Sequence, residues 1–178
     1  MKIILCSKNE QENIIDYQTY TFPDGNPEEW RGETVFAELL PDGSLTQDSL
    51  SLLGKARAAA GQTDDKAQLL LIGDGLVETA RDYFANGADR VFVYDDPMLK
   101  DCDIERYTTI LMHFINNYKP ASIYFEQPHP GKELSTRIIE SVKQILPFKG
   151  ETLRKEPVPE PLSLDSNRRG ELVICEIP

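Results

Sequence analysis

AQLLLIGDGLVETARDYFANGADRVFVYDD, residues 67–96, holds two apolar runs on either side of a periodic segment. The first run, 68–72, lacks polar alternation and is broken by Gly73, Asp74 and Gly75. From Leu76 the period changes. Leu76, Ala80, Tyr83 and Phe84 stand at i, i+4, i+7 and i+8, which is one face of a helix. Gly87 falls where a helix end favours a left-handed residue. The second run, 91–94, closes on Asp95-Asp96-Pro97. The pattern reads as strand, helix over 76–86, and parallel strand, because unalternated apolar runs suit strands covered on both faces.

Working outward, the flanks add similar units. Upstream, TVFAEL at 34–39 reads as a strand and Pro41-Asp42-Gly43 as a turn. Ser44 or Thr46 can cap a helix whose buried stripe is Ser49, Leu52, Leu53, Ala56, Ala59 and Ala60, with Gly61 ending it. Downstream, Pro97 bars a central strand from continuing. Ile104, Tyr107, Leu111, Phe114, Ile115 and Tyr118 repeat at helical spacing before Pro120, and SIYFE at 122–126 is a further strand. Gln127-Pro128-His129-Pro130-Gly131 then turns into a helix with the stripe Leu134, Ile138, Val142, Ile145 and Leu146.

The ends read differently. Residues 2–6 suit a strand, and 7–31 are a polar, loop-rich lead-in with a turn cluster at 23–27 and Trp30 as its anchor. Residues 151–169 carry Pro157, Pro159 and Pro161 among charges and read as extended and partly mobile. ELVICEI at 171–177 is a last strand, expected to pair with another chain or fold back onto its own sheet. The expected organisation is a lead-in (1–30), an α/β domain (31–150) and a Pro-rich tail ending in a strand (151–178). The expected fold class is α/β: three layers, doubly wound, with a mainly parallel sheet of the Rossmann-like or adenine-nucleotide alpha-hydrolase-like kind. Ligands in such sheets bind beyond the carboxyl ends of the strands, which points to the loops 40–44, 73–75, 95–99 and 127–133.

Composition narrows the function classes. Charged residues make up 28% and hydrophobic ones 40% of 178 residues, as in a globular protein. A net charge of −11 argues against nucleic acid, whose phosphates need a basic face. It suits the acidic, solubilising surface of a cytoplasmic protein, with electrostatic docking to a basic partner as the lesser reading. Cys6, Cys102 and Cys175 are far apart, form no CxxC and have no zinc-type spacing, so they read as reduced thiols. The apolar start is too short for a signal peptide, and no apolar stretch approaches the ~20 residues that span a membrane.

VFAEL, LLGKARAAA, LLLIGDG and NGADRVFVYDDPML, in that order and spacing, resemble the N-terminal domain of the electron-transfer flavoprotein alpha subunit. The resemblance covers roughly 31–146, and the ending GELVICEIP is similar to the segment by which such chains leave this domain. It implies a non-catalytic scaffold or partner domain in electron transfer, paired with a beta-type subunit or with a second copy. The family's FAD lies in a following C-terminal domain without a counterpart here. FAD is therefore expected only in a complete flavoprotein. The family's Thr-Ser-x-Gly-Arg-Asp type of turn is replaced by Gln127 to Glu133, keeping only Gly131 with Lys132 and Glu133 as conservative changes.

The alternative is a small adenine-nucleotide module taking AMP or ATP. Its cofactor-binding candidates are Gly73, Asp74, Gly75, Asp95, Asp96, Gly131 and Lys132. The glycine turn could face a phosphate with its N–H groups, although the GxGxxG fingerprint is incomplete. Asp95 and Asp96 could hold a ribose hydroxyl or a metal, or simply form a strand-end turn. Lys132 and Arg137 could hold an anion or face solvent. His129 and His113 read as surface histidines, and acidic neighbours argue against Cys102 as a nucleophile. Neither a catalytic triad nor a P-loop is present, so no catalytic residue is expected.

Overall fold

A computed structural model describes residues 1–9, 11–23, 26, 28–101, 103–127 and 131–178. Its elements run β1 (Lys2–Asn9), β2 (Ile14–Thr21), β3 (Glu33–Phe36), α1 (Gln47–Thr63), β4 (Ala67–Gly73), β5 (Arg90–Asp95), α2 (Ile104–Tyr118), β6 (Ser122–Gln127), α3 (Gly131–Ile145), β7 (Gly150–Pro157) and β8 (Glu171–Cys175). The described strands form one sheet in the order β7-β2-β1-β6-β3-β4-β5-β8. β2 is antiparallel to both neighbours, and every other pairing is parallel. From β3 the chain walks outward through β4 to β5. α2 then carries it back, and β6 lands on the other side of β3. That reversal is the switch point of a doubly wound sheet, as the sequence pattern implied.

Alternate residues of each central strand serve two separate cores. Phe36, Leu70, Phe92 and Phe125 meet α2 and α3 on one face. Val35, Leu69, Leu71, Val91 and Val93 meet α1 on the other. Because both faces are buried, these strands show no polar alternation. Thr46 caps α1 by accepting the Ser49 N–H at 3.1 Å. Gly61 does not end this helix. The left-handed cap is Asp64, at φ 52°.

Three expectations give way. The lead-in is a β-hairpin rather than loop, for β2 pairs with β1 along its whole length. Ile15 and Tyr17 face the core while Asp16 and Gln18 are only half-buried, the alternation of a strand covered on one side. Asp24, Gly25 and Pro27 of the expected turn lie outside the described residues. The helix over 76–86 is instead a series of turns with a 3₁₀ segment, Ala80–Phe84. A helix that short is marginal from propensity alone. Its buried anchors Ala80, Tyr83 and Phe84, at i, i+3 and i+4, suit either helix type.

The tail is part of the fold, so the three-part organisation does not describe this sheet. β7 pairs with β2 at one edge, and β8 folds back onto β5 at the other. Residues 158–170 cross the α1 face between them. Val158 joins the core there. A Cβ on Gly54 would stand 2.9 Å from the Glu160 carbonyl oxygen, so α1 needs a glycine where this strap passes. The Asp165 N–H donates to the Ala85 carbonyl at 2.9 Å. Of the two fates expected for the terminal strand, the structure takes the fold back. Among the described residues, no helix is long and apolar enough to cross a membrane.

Candidate functional site

The carboxyl ends of β3 and β4 open into a crevice of about 610 Å³. The loop after β3 forms one wall, with Glu38, Leu40 and Asp42, and the Gly73-Asp74-Gly75 turn forms another. Tyr107 reaches in from α2 and donates to the carbonyls of Ile72 and Leu99 at 3.1 and 3.2 Å.

The glycine turn is built as an anion nest, and the chain fills it itself. Gly75 has φ 72°, which favours glycine. The N–H groups of Gly75, Leu76 and Val77 converge on the Asp95 carboxylate at 2.7, 2.8 and 2.9 Å. Those are the donors a nucleotide phosphate would need. Asp96 caps the 3₁₀ turn Pro97–Leu99, accepting the Met98 N–H at 2.8 Å, and is likewise a turn residue. Asp74 is exposed at the crevice rim.

The structure thus brings Gly73, Asp74, Gly75 and Asp95 together, with Asp96 next to them. It does not bring in Gly131 and Lys132, which open α3 behind β6. Lys132 is exposed, and its carbonyl accepts the Ser135 and Thr136 hydroxyls. Arg137 pairs with Glu133 and Glu105 at 3.6 and 3.8 Å. Pro128, His129, Pro130 and Cys102 lie outside the described residues. His113 is not a plain surface residue, because its Nδ1 lies 2.9 Å from the hydroxyl of fully buried Tyr94. Burial pushes the Cys6 and Cys175 thiols up, which suits inert structural cysteines. Among the described residues, no group of acidic, histidine or cysteine side chains could hold a metal.

Sequence reasoning passed over two carboxylates at the switch point. Glu126, at the end of β6, accepts the Ser49 hydroxyl at 2.5 Å and the Thr46 hydroxyl at 3.3 Å. Ser49 in turn accepts the Glu38 N–H at 2.9 Å, so the α1 N-terminus ties β3 to β6. Glu38 fares differently. Its Oε1 is buried without a hydrogen-bond partner among the described residues. Burial, with Glu126 and Asp48 near by, pushes its carboxyl up to about 7. Each acid stands at the carboxyl end of a buried parallel strand, Glu126 as the last residue but one of β6 and Glu38 two residues after β3, a signal readable in IYFE and VFAE.

The sign of that shift gives a test. A carboxyl whose folded pKa exceeds its unfolded one opposes folding above about pH 7, and the penalty fades as pH falls towards the unfolded value. Discounted for a half-buried group, it amounts to roughly 1–2 kcal/mol. Glu38→Gln is therefore expected to stabilise the protein at pH 8 and leave it nearly unchanged at pH 5. Urea titrations at both pH values check this, and equal effects at the two would contradict it.

A second cavity, about 580 Å³, lies at the amino ends of β4, β5 and β8. Its Asp89 carboxylate is paired within the fold. Asp89 accepts from the Ala67 N–H at 2.9 Å and pairs with Arg57 at 3.0 Å and with Arg168 of the strap. Burial pushes the Asp89 carboxyl up, but these donors outweigh it and hold the group below its ordinary range. This network fastens the strap.

Fold and site define a doubly wound α/β domain with an acidic carboxyl-end crevice whose phosphate-type nest closes on its own aspartate. The chain belongs to the electron transfer flavoprotein domain family, which matches residues 33–140. It is 36% identical over 135 residues to lactate dehydrogenase (NAD(+),ferredoxin) subunit LctC of Acetobacterium woodii, a match covering 76% of this chain and 30% of that protein. It is 33% identical over 115 residues to the electron transfer flavoprotein subunit alpha of Megasphaera elsdenii, covering 65% and 34%. The acryloyl-CoA reductase electron transfer subunit beta of Anaerotignum propionicum is 28% identical over 96 residues, covering 54% and 26%. The chain spans about a third of the length of these relatives. It is alpha-subunit-like, and the adenine-nucleotide reading is not favoured.

Proposed function

We propose that this chain is a scaffold and partner domain of an alpha-type electron-transfer flavoprotein, working in the cytoplasm beside a beta-type subunit and performing no catalysis alone. The observation that carries this reading is the family match from β3 into α3, together with the likeness over 115 residues to an alpha subunit. Flavin chemistry would reside in the rest of the assembly. The crevice residues do not fit a dinucleotide, since Asp95 takes the N–H donors a pyrophosphate needs, while Glu38 and Asp74 add negative charge. A homodimer is the weaker form of the partner proposal, because β8, the strand expected to seek a second copy, pairs with β5.

The purified chain is expected to be colourless and to take up no FAD in equilibrium dialysis. Co-produced with a beta-type subunit, it should co-elute with that subunit in size exclusion. A yellow preparation with stoichiometric flavin would overturn the scaffold reading.

A further inference from the structure

The carboxyl-end crevice has a chemistry that the alpha-type reading leaves without a purpose. The loops 38–48, 73–78 and 95–103 carry three, two and four carboxylates and a single cation, Lys100. Some of that charge has a structural task. Asp95 and Asp96 cap turns, Asp103 caps α2, and Asp48 pairs with Lys8 at 3.4 Å. Glu38 has none. It lines the crevice with a buried oxygen that has no donor among the described residues, although leaving a buried acceptor unmet is costly. Beside it, Leu40 is 46% exposed, and Met98, adjacent to the lining residue Leu99, is 61% exposed. Leu40 puts an exposed apolar side chain on the wall of a polar hollow, and Met98 adds a second one residue along from that wall, a make-up that suits a docking site.

Charge decides what docks. Anions are excluded by the loop carboxylates and by the filled nest. A bare metal ion is a poor fit, because the described residues hold no suitable group of ligands. A side chain with a cationic head and an apolar stem matches both the unmet carboxylate and the apolar rim.

We propose that this crevice is the docking groove for a lysine- or arginine-bearing loop of the electron-transfer partner protein, whose cation meets Glu38 while its apolar neighbours cover Leu40 and Met98. The inference rests on the alpha-type reading and adds to it the place and chemistry of contact. The amino-end cavity is not a rival for a cation, since Arg57, Lys66 and Arg169 line it and its Asp89 is already paired with Arg57 and Arg168.

The test titrates the full chain with the capped pentapeptide Gly-Leu-Arg-Leu-Gly and, as control, Gly-Leu-Glu-Leu-Gly, following backbone amide chemical shifts. The arginine peptide is expected to move the amides of 38–43 and 73–76, and the glutamate peptide to move none of them. Glu38→Gln should weaken the arginine peptide about fivefold, the upper range for one accessible charge pair. Because that variant is expected to be at least as stable as the parent, a weaker complex cannot be put down to unfolding. Leu40→Ser with Met98→Ser should weaken it further. Equal binding of both peptides, shifts spread over the acidic surface, or unchanged affinity in Glu38→Gln would each overturn the proposal. If the peptide fails while the chain still co-elutes with a beta-type subunit, the groove is refuted and the alpha-type reading stands.

Discussion

Gly87→Val is expected to lower stability by about 2–3 kcal/mol, through two effects that act at the same atom. Gly87 sits at φ 106°, where a β-branched residue is strained. A Cβ there would also clash with Cδ1 of Leu162 in the strap. The turn cannot easily rearrange. The Gly87 carbonyl accepts from Arg57 at 2.9 Å, and its N–H donates to the Phe84 carbonyl at 3.0 Å. Leu162 is half-buried and can swing away, but only by giving up its place over α1. For a chain of this size the loss corresponds to a fall in Tm of about 5–10 °C. Gly75→Ala is the control for backbone strain alone. Gly75 has φ 72° and open space where a Cβ would go, so about 1 kcal/mol is expected. Adding Leu162→Ala to Gly87→Val should recover part of the difference. If Gly87→Val costs no more than Gly75→Ala, the strap does not press on this turn.

The central sheet was legible because its strands are buried on both faces and its breaks are marked by Gly73, Gly75, Gly87 and Pro97. The hairpin was not. β2 carries Asp16, Gln18 and Thr19 on a strand with one covered face, and its polar composition resembles a loop. The strap was missed for the opposite reason. Pro157, Pro159 and Pro161 do enforce extended backbone, but whether such a segment stays free depends on what it meets. Gly54 and Gly87 admit it, and only the fold brings those glycines beneath it. At the site, composition and spacing picked out the glycine turn and its aspartates, which do lie together. Their direction of use stayed hidden, because a free nest and a nest filled by a residue twenty positions away read alike. Glu38 and Glu126 are adjacent only through the β3–β6 reversal, a juxtaposition that local periodicity does not encode.

Asp95→Ala is expected to cost about 2–3 kcal/mol, because one carboxylate serves three backbone donors and charged hydrogen bonds are the strong ones. Leu76 and Val77 are half-buried, so water replaces the lost acceptor only in part. Asp95→Asn should fall between the two, since an amide oxygen accepts but carries no charge. The alanine variant also empties a concave set of N–H groups at the carboxyl end of β4. Such a set favours a bound anion. Sulfate should therefore restore much of the lost stability in Asp95→Ala. The comparison must be with chloride at equal ionic strength and with the parent chain, because sulfate strengthens burial in every protein. The same logic predicts that AMP protects the alanine variant against thermal unfolding and leaves the parent unmoved. Equal sulfate responses in variant and parent would show that Asp95 does not stand in for an anion. AMP protection of the parent would bring back the nucleotide module, at a place other than this turn.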